Sequence, residues 1–377
     1  MRLQLRLLFA LGVIAWFALR TTTVWAQSTV KYKRMLYDEA APGIRVDEDA
    51  LEVLLELENQ DEASFLMTHD VISGASPIGL PEGDVIGGAS TAAVRGQLVV
   101  PFEDTRTGVA LGYKSQLVRT FALGGTASYS EEDDYISRGL SLSGTLELNA
   151  KNTTISPSIS YYSDSVMPVE KPQQEKKTTG FSLGLSQVIN SWNLGELGMD
   201  LSRASGYLTD PYKQVLVGVT ALPETRPDER ISVAFRAGLR TKPFPNHAAW
   251  LRGRFYMDDW EVYSLTGTAS TFHQLDEKLL VELFYRYYRQ TEAFFWADSF
   301  EGTDQGPYRS ADVRLARLTS ARVGITTTWR KSDQLWWIFS FARYGQSGIP
   351  EGTAPLDPNI ATISAIMASI AVQYRFY

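Results

Sequence analysis

The chain has 377 residues, no cysteine, 12% aromatic residues and a formal net charge of −7. Without cysteine there is no disulfide framework, no thiolate zinc site and no haem attachment. The mean hydropathy of −0.15 fits alternating apolar and polar positions, and no stretch after the first 26 residues approaches the apolar length of a spanning helix. Any membrane residence is therefore expected as a β-barrel, the other architecture that satisfies every backbone polar group in lipid.

Arg2 and Arg6 precede an apolar run from Leu7 to Leu19, and Val24-Trp25-Ala26 offers a small residue at a cleavage point. Residues 1–26 read as a secretory signal peptide, since the apolar run falls short of the roughly 20 residues that span a bilayer. No internal repeat, low-complexity tract or linker divides 27–377, which reads as one outer-membrane barrel domain. Only Gln27, Ser28 and Thr29 precede the first expected strand, which argues against a receptor with a globular plug.

Alternation with a period of two recurs along the chain. In LSLSGTLELN, Leu140, Leu142, Gly144, Leu146 and Leu148 oppose Ser141, Ser143, Thr145, Glu147 and Asn149. ISVAFRAGLR repeats the pattern from Ile231. Strands are expected near 30–38, 50–58, 63–72, 105–114, 119–130, 136–149, 153–163, 178–188, 193–205, 230–240, 248–257, 261–272, 277–291, 315–330, 334–344 and 364–377. The gaps alternate between long and tight, the signature of a closed antiparallel transmembrane β-barrel of about sixteen strands. The segment 212–220 could be a further strand, and is read as an external hairpin because counting it would put the termini on opposite sides. The seven tryptophans after the signal lie in or near connections, as interfacial girdles require.

The final segment places Ile366, Ala368, Ile370, Val372, Tyr374 and Phe376 on one face, with Tyr377 one position beyond. This strand is expected to seal against the first, with Phe376, Tyr374 and Tyr377 as the signal read by the barrel-assembly machinery. The expected surroundings are bacterial outer-membrane lipid, with no nucleic-acid partner.

Several stretches resemble an uncharacterised outer-membrane family catalogued as domain of unknown function 3570: DVISGASPIGLP (70–81), LTDPYK (208–213), LPETRPDER (222–230), RFYMDDW (254–260), YRYYRQTEAFFWADSF (285–300) and YRSADVRL (308–315). The resemblance spans roughly 28–377 and implies a bacterial outer-membrane barrel. It also implies a periplasmic or lipoprotein partner, with a redox or flavin link.

Catalytic signals are weak. His69 falls near the outer rim while His247 and His273 fall in periplasmic turns, so they cannot meet in one site. No phosphate loop, HExxH pair or GxSxG elbow occurs. No enzyme and no cofactor are expected. The eight expected external loops hold 28 acidic and 9 basic residues. Asp258, Asp259 and the run Glu131 to Asp134 could take a divalent cation there, although a solvated turn is the better reading of them.

The lumen carries the sharper reading. Even positions of four expected strands present Arg236, Arg240, Arg252, Arg254, Arg286 and Arg322 on the polar face. If the turn 241–247 is centred near Phe244, Arg236 faces Arg252. Glu282 is expected to pair with Arg286, while Glu147, Glu196 and Asp200 face inward from the opposite wall. Two roles fit: a ladder of salt bridges that braces the barrel, or a wall that guides small solutes, anions among them. The function expected is a porin-like passive channel, with a non-conducting scaffold for an envelope complex as the alternative and a surface enzyme as a distant third.

A closed barrel has no edge from which to fray. The protein should therefore migrate faster on a detergent gel before boiling than after. A single band indifferent to heat would contradict closure.

Overall fold

The computed structural model describes residues 28–376, apart from 41–42, 58–59, 82–91, 95–96, 169–170, 298, 302–305 and 349–361. The proposed signal peptide and Tyr377 lie outside the described residues. Sixteen strands form the barrel: β1 (Thr29–Glu39), β2 (Ile44–Glu56), β3 (Glu62–Pro81), β4 (Gln97–Val118), β5 (Phe121–Glu131), β6 (Tyr135–Leu148), β7 (Thr153–Val166) and β8 (Gln174–Asn190). The circuit continues with β9 (Asn193–Gly206), β10 (Glu229–Phe244), β11 (His247–Asp258), β12 (Tyr263–Gln274), β13 (Leu279–Gln290), β14 (Leu318–Arg330), β15 (Leu335–Gly348) and β16 (Ile363–Arg375).

Every strand pairs antiparallel with its neighbours in sequence, and β1 closes the ring on β16 from Thr29↔Arg375 to Glu39↔Ala365. Below the seam, the Phe376 amide donates to the Ser28 carbonyl at 2.8 Å. Phe376 packs on the buried cluster of Val30, Leu51 and Val53, with Tyr374 edge-on at 5.0 Å. One paired row shows how steeply the strands tilt. It runs His247, His273, Val281, Thr327, Phe339, Ile370, Arg34, Asp49, His69, Thr107 and Glu131. It leaves the short-turn rim at the first residue of β11 and reaches the long-loop rim at the last residue of β5. Such a climb is the stagger that closure of a tilted sheet requires.

The outer face is apolar, with Leu140, Leu197, Leu251, Leu265 and Phe341 all at least half exposed. Three sequence expectations need correction. The second strand starts at Ile44 rather than 50, through the acidic stretch Asp47-Glu48-Asp49. Cross-strand partners absorb those charges: Lys33 meets Glu48 at 3.0 Å, Arg34 meets Asp47 at 3.4 Å, and the Tyr32 hydroxyl donates to Asp49 at 2.5 Å. Because Lys33 and Met35 line a lumen cavity, Arg34, Asp47 and Asp49 stand on the outer face and interrupt the apolar belt there. The β10–β11 register also differs. An irregularity between Thr241 and Phe244 places Arg236 opposite Arg254, and Gly238 opposite Arg252. Finally, the tryptophans do not form two girdles. Trp192 and Trp329 are exposed near the short-turn rim, Trp250 faces the lumen, and Trp260 is buried above the barrel.

The segments 207–228 and 291–317 fold into a cap over the outer mouth. The hairpin Gln214–Val217/Thr220–Pro223 belongs to the first of them and stays outside the barrel sheet. The two segments are joined by bridges Val217↔Phe300 and Thr225↔Arg309, and by apolar contacts among Val215, Phe300 and Ala311. A second cluster, with Trp260 edge-on to Phe295 at 5.2 Å, seats the cap on the β11–β12 turn. The hairpin crosses the mouth: its first strand lies beside β3, and the Tyr212 hydroxyl donates to Asp134 in the β5–β6 loop.

An ion network locks the cap. Arg226 bridges Glu224 and Asp312, each at 2.7 Å, and Arg314 bridges Asp312 at 2.5 Å and also meets Asp210. Burial alone would raise the Asp312 carboxyl. Hydrogen bonds and charge from Arg314, with the charges of Arg226 and Lys213, outweigh that and hold it well below the usual carboxylate range. The Asp312 pairs therefore survive mild acid, their contribution being lost only as pH falls through that depressed value, whereas burial pushes the Glu224 carboxyl up and its pair with Arg226 loses its charge first.

Removing one partner of a buried ion pair costs about 3–5 kcal/mol, because the other charge is stranded. Asp312→Asn should open the cap without dissolving the barrel. Limited trypsin digestion of the folded variant should cut after Lys213 and Arg309 well before wild type, with heat-modifiable mobility retained. Equal resistance of the two proteins would show that the network does not hold the cap.

Candidate functional site

The candidate site is the lumen wall built by β9 to β14. Arg252 and Arg322 line one cavity with Ser270, Glu282 and Ser340, and strand alternation puts Arg236, Arg240, Arg254 and Arg286 on the same face of the sheet. Arg236 pairs with Asp200 at 2.8 Å, and Arg240 with Glu196 at 2.9 Å. Both carboxylates sit on β9, the strand beside β10, so these are neighbouring-strand pairs and not braces across the lumen. Gly198 makes the first pair possible, since a Cβ there would come within 3.1 Å of the Arg236 guanidinium.

The remaining four differ. Among the described residues, no carboxylate lies within ion-pair distance of Arg252, Arg254, Arg286 or Arg322. Glu282 shares the face of Arg286 but sits four residues along β13, about 13 Å away. It lines the same cavity as Arg252 and Arg322 without pairing to either. Glu147 is engaged elsewhere, at 2.7 Å from Lys151 beneath the short β6–β7 turn. That turn holds Asn149, Ala150 and Lys151 at φ of 50°, 52° and 71°.

Aromatic faces take up part of what carboxylates do not. Trp250 lies between Arg240 at 4.1 Å and Arg252 at 3.8 Å, and donates its indole N–H to Glu196 at 3.1 Å. Arg254 stacks over Tyr256 at 5.1 Å and Arg322 over Phe284 at 5.0 Å. Each such contact contributes about 0.5–2 kcal/mol and leaves the N–H edge of the guanidinium unused. Sequence reasoning assigned Trp250 to a girdle because its distance from a turn is girdle-like. Its even number, shared with the arginines, was the available signal for the lumen face.

On the opposite wall each inward lysine is paired: Lys33 meets Glu48 at 3.0 Å, Lys114 meets Glu62 at 2.7 Å, and Lys31 lies 3.8 Å from Glu52. A wall of uncompensated cations facing one whose cations are compensated sets up a transverse field across the lumen.

Beneath the cap, a second cavity of about 340 Å³ is lined by Arg226, Arg230, Arg254, Tyr256, Tyr288 and Arg314, among others. Here Arg230 is neutralised by Asp258 at 2.5 Å. Asp258 also accepts from the Tyr256 hydroxyl and from the amides of Trp260 and Val262. Asp259 accepts from the Ile231 amide. The two aspartates thus shape the β11–β12 turn. Of the acid run, Glu132 and Asp134 converge with Asp104, one carboxylate oxygen from each lying within 4.8 Å of the others. Burial, then the charge of Asp104, pushes the Glu132 carboxyl up. Arg106 at 3.6 Å and the Tyr212 hydroxyl already serve this cluster. His69 stays apart from the other two histidines, bonding Thr107 on the outer face of β3, while His247 and His273 touch through Nδ1 at 2.9 Å on the short-turn rim.

Comparison with solved structures places the fold among outer-membrane barrels. The chain superposes on a bacterial polysaccharide outer membrane secretin with a TM-score of 0.52 at 10% identity, covering 94% of this chain and 100% of that one. It is also similar to the siderophore receptor PirA from Acinetobacter baumannii, at TM-score 0.46 and 9% identity, covering 92% of this chain and 58% of that one. The third similarity is to OccK8 (OprE) of Pseudomonas aeruginosa, at TM-score 0.45 and 9% identity, over 93% and 98%. No curated protein matches the sequence. A closed sixteen-strand barrel with an apolar outer belt is a resident of the bacterial outer membrane. The family described as "protein of unknown function (DUF3570)" matches residues 16–174 and 169–363, nearly the whole length, and the chain belongs to it.

Proposed function

We propose that this barrel is a channel for small hydrophilic solutes that prefers anions, with the β10–β14 wall as its conducting surface. The observation that carries the reading is the set of four lumen arginines without carboxylate partners among the described residues, against an opposite wall whose three lysines are each paired with a glutamate. A barrier to anions falls where the wall is cationic, and the low-dielectric barrel concentrates that field more than bulk water would. The acidic outer loops do not cancel it, because at a Debye length of about 10 Å in 0.1 M salt the rim is screened from the middle of the passage. The cap makes the outer mouth the narrow part of the route.

The same cap supports a second reading, a barrel that does not conduct and scaffolds an envelope partner. Its hairpin crosses the mouth to β3, as a seal would. Neither reading involves catalysis.

Purified protein in planar bilayers separates them. The expected result is discrete conductance with a reversal potential on the anion side in a potassium chloride gradient. Changing Arg252 and Arg254 together to Glu should move that potential towards cation selectivity. Absence of conductance from wild type and from the cap-opened Asp312→Asn variant would favour the scaffold.

A further inference from the structure

We infer that Arg252, Arg286 and Arg322 form a discrete site for a phosphate group, within the passage that the channel reading assigns. This goes beyond a cationic field, which attracts anions without holding them. The three arginines lie on one hydrogen-bonded row of the sheet. Arg286 and Arg322 are direct partners across β13 and β14, and Thr268 on β12 is the paired neighbour of both Arg286 and Arg252. Directly opposed residues hold their Cβ atoms about 4.5–5.5 Å apart, so Arg286 stands about 5 Å from Arg322 and roughly 10 Å from Arg252, and the row spans roughly 15 Å from end to end, within the joint reach of arginine side chains. Three long side chains on such a row can converge on one small ligand.

Opposed like charges destabilise a sheet, and a guanidinium cannot shed its proton to relieve the repulsion. Relief must come from an anion. No carboxylate of the described residues supplies it at ion-pair range. Two orphaned polar groups line the same cavity of about 320 Å³. The Nε of Arg322 and the hydroxyl of Ser270 are both buried without a hydrogen-bond partner, and Ser270 is only 1% exposed. Buried polar groups of native proteins are nearly always satisfied, so this pair points to an acceptor supplied by a ligand.

The chemistry selects the ligand class. Trp250 and Phe284 hold the flat faces of Arg252 and Arg322, which fixes their orientation and leaves their N–H edges free. Guanidinium forks match the oxygens of phosphate in pairs, whereas chloride offers one charge and no directional acceptors. Charge agrees as well. Lys33 and Glu48 cancel each other at 3.0 Å, so Arg252 and Arg322 with Glu282 leave a net of about one positive charge lining the cavity, and Arg286, beside it on the same row, brings the total to about two, the complement of a hydrogen-phosphate dianion. Inorganic phosphate and the phosphate of a small monoester present the same oxygens, and the cavity accepts either.

Calorimetric titration of the folded, heat-modifiable barrel in detergent tests the site at pH 8 and constant ionic strength in chloride buffer. Inorganic phosphate and glycerol 3-phosphate are the two probes, and the tighter one names the source. The expected result is saturable binding of one ligand per barrel. Arg286→Gln alone should weaken it at least tenfold, and Arg286→Gln with Arg322→Gln should abolish it. Lys114→Gln, on the opposite wall with Glu62 as its partner, should leave affinity within twofold. No saturable binding of either probe, or equal loss in the Lys114 variant, overturns the site. Conductance without phosphate binding would overturn this inference alone, and binding without conductance would overturn the channel alone.

Discussion

In hydrocarbon there is no water to take up a backbone N–H or C=O, and a sheet placed there must close or leave an edge unpaired. Everything else in this molecule depends on that constraint. Closure fixes the pairing of β1 with β16 from Thr29 to Glu39, and with it the register of the whole ring. Register then decides which residues see lipid and which see the lumen, since a slip of one position would turn every arginine of β11 outward. The cationic wall is therefore a property of the closed ring as much as of its side chains.

Once the ring is closed, charge is managed differently in three regions. Around β1 to β4 each inward lysine has its glutamate on the next strand. In the cap, arginine and carboxylate are buried together, and Asp312 is held charged between two guanidiniums. Along β11 to β14 the cations are left to aromatic faces. A wall meant only to brace the barrel would be served by the first arrangement throughout, as Arg236 and Arg240 illustrate with their β9 partners.

The strand count and the alternation of long and short connections were legible in the sequence because barrel strands must alternate over a fixed thickness of bilayer. That Arg252, Arg286 and Arg322 share one face of the sheet was legible for the same reason. What escaped depended on partners distant in sequence. Asp47 to Asp49 read as a loop because three acids in a row look solvated, and only the register against Lys33 and Arg34 makes them a strand. The position of Arg236 opposite Arg254 turned on one irregularity near Thr241 that periodicity cannot show. The cap was invisible because Asp210, Asp312 and Glu224 acquire meaning only when segments some 90 residues apart meet.

The tilt of the strands gives the arginine row a further property. A row of paired residues climbs from the short-turn rim at His247 to the long-loop rim at Glu131. With strands about 4.8 Å apart and tilted near 40°, each step around the wall rises about 3 Å along the barrel axis. Arg252, Arg286 and Arg322 are consequently treads of a spiral stair, the last about 9 Å nearer the outside than the first. The tilt that closes the sheet therefore also spaces the row along the barrel axis, so that a voltage across the bilayer would fall by a different fraction at each guanidinium.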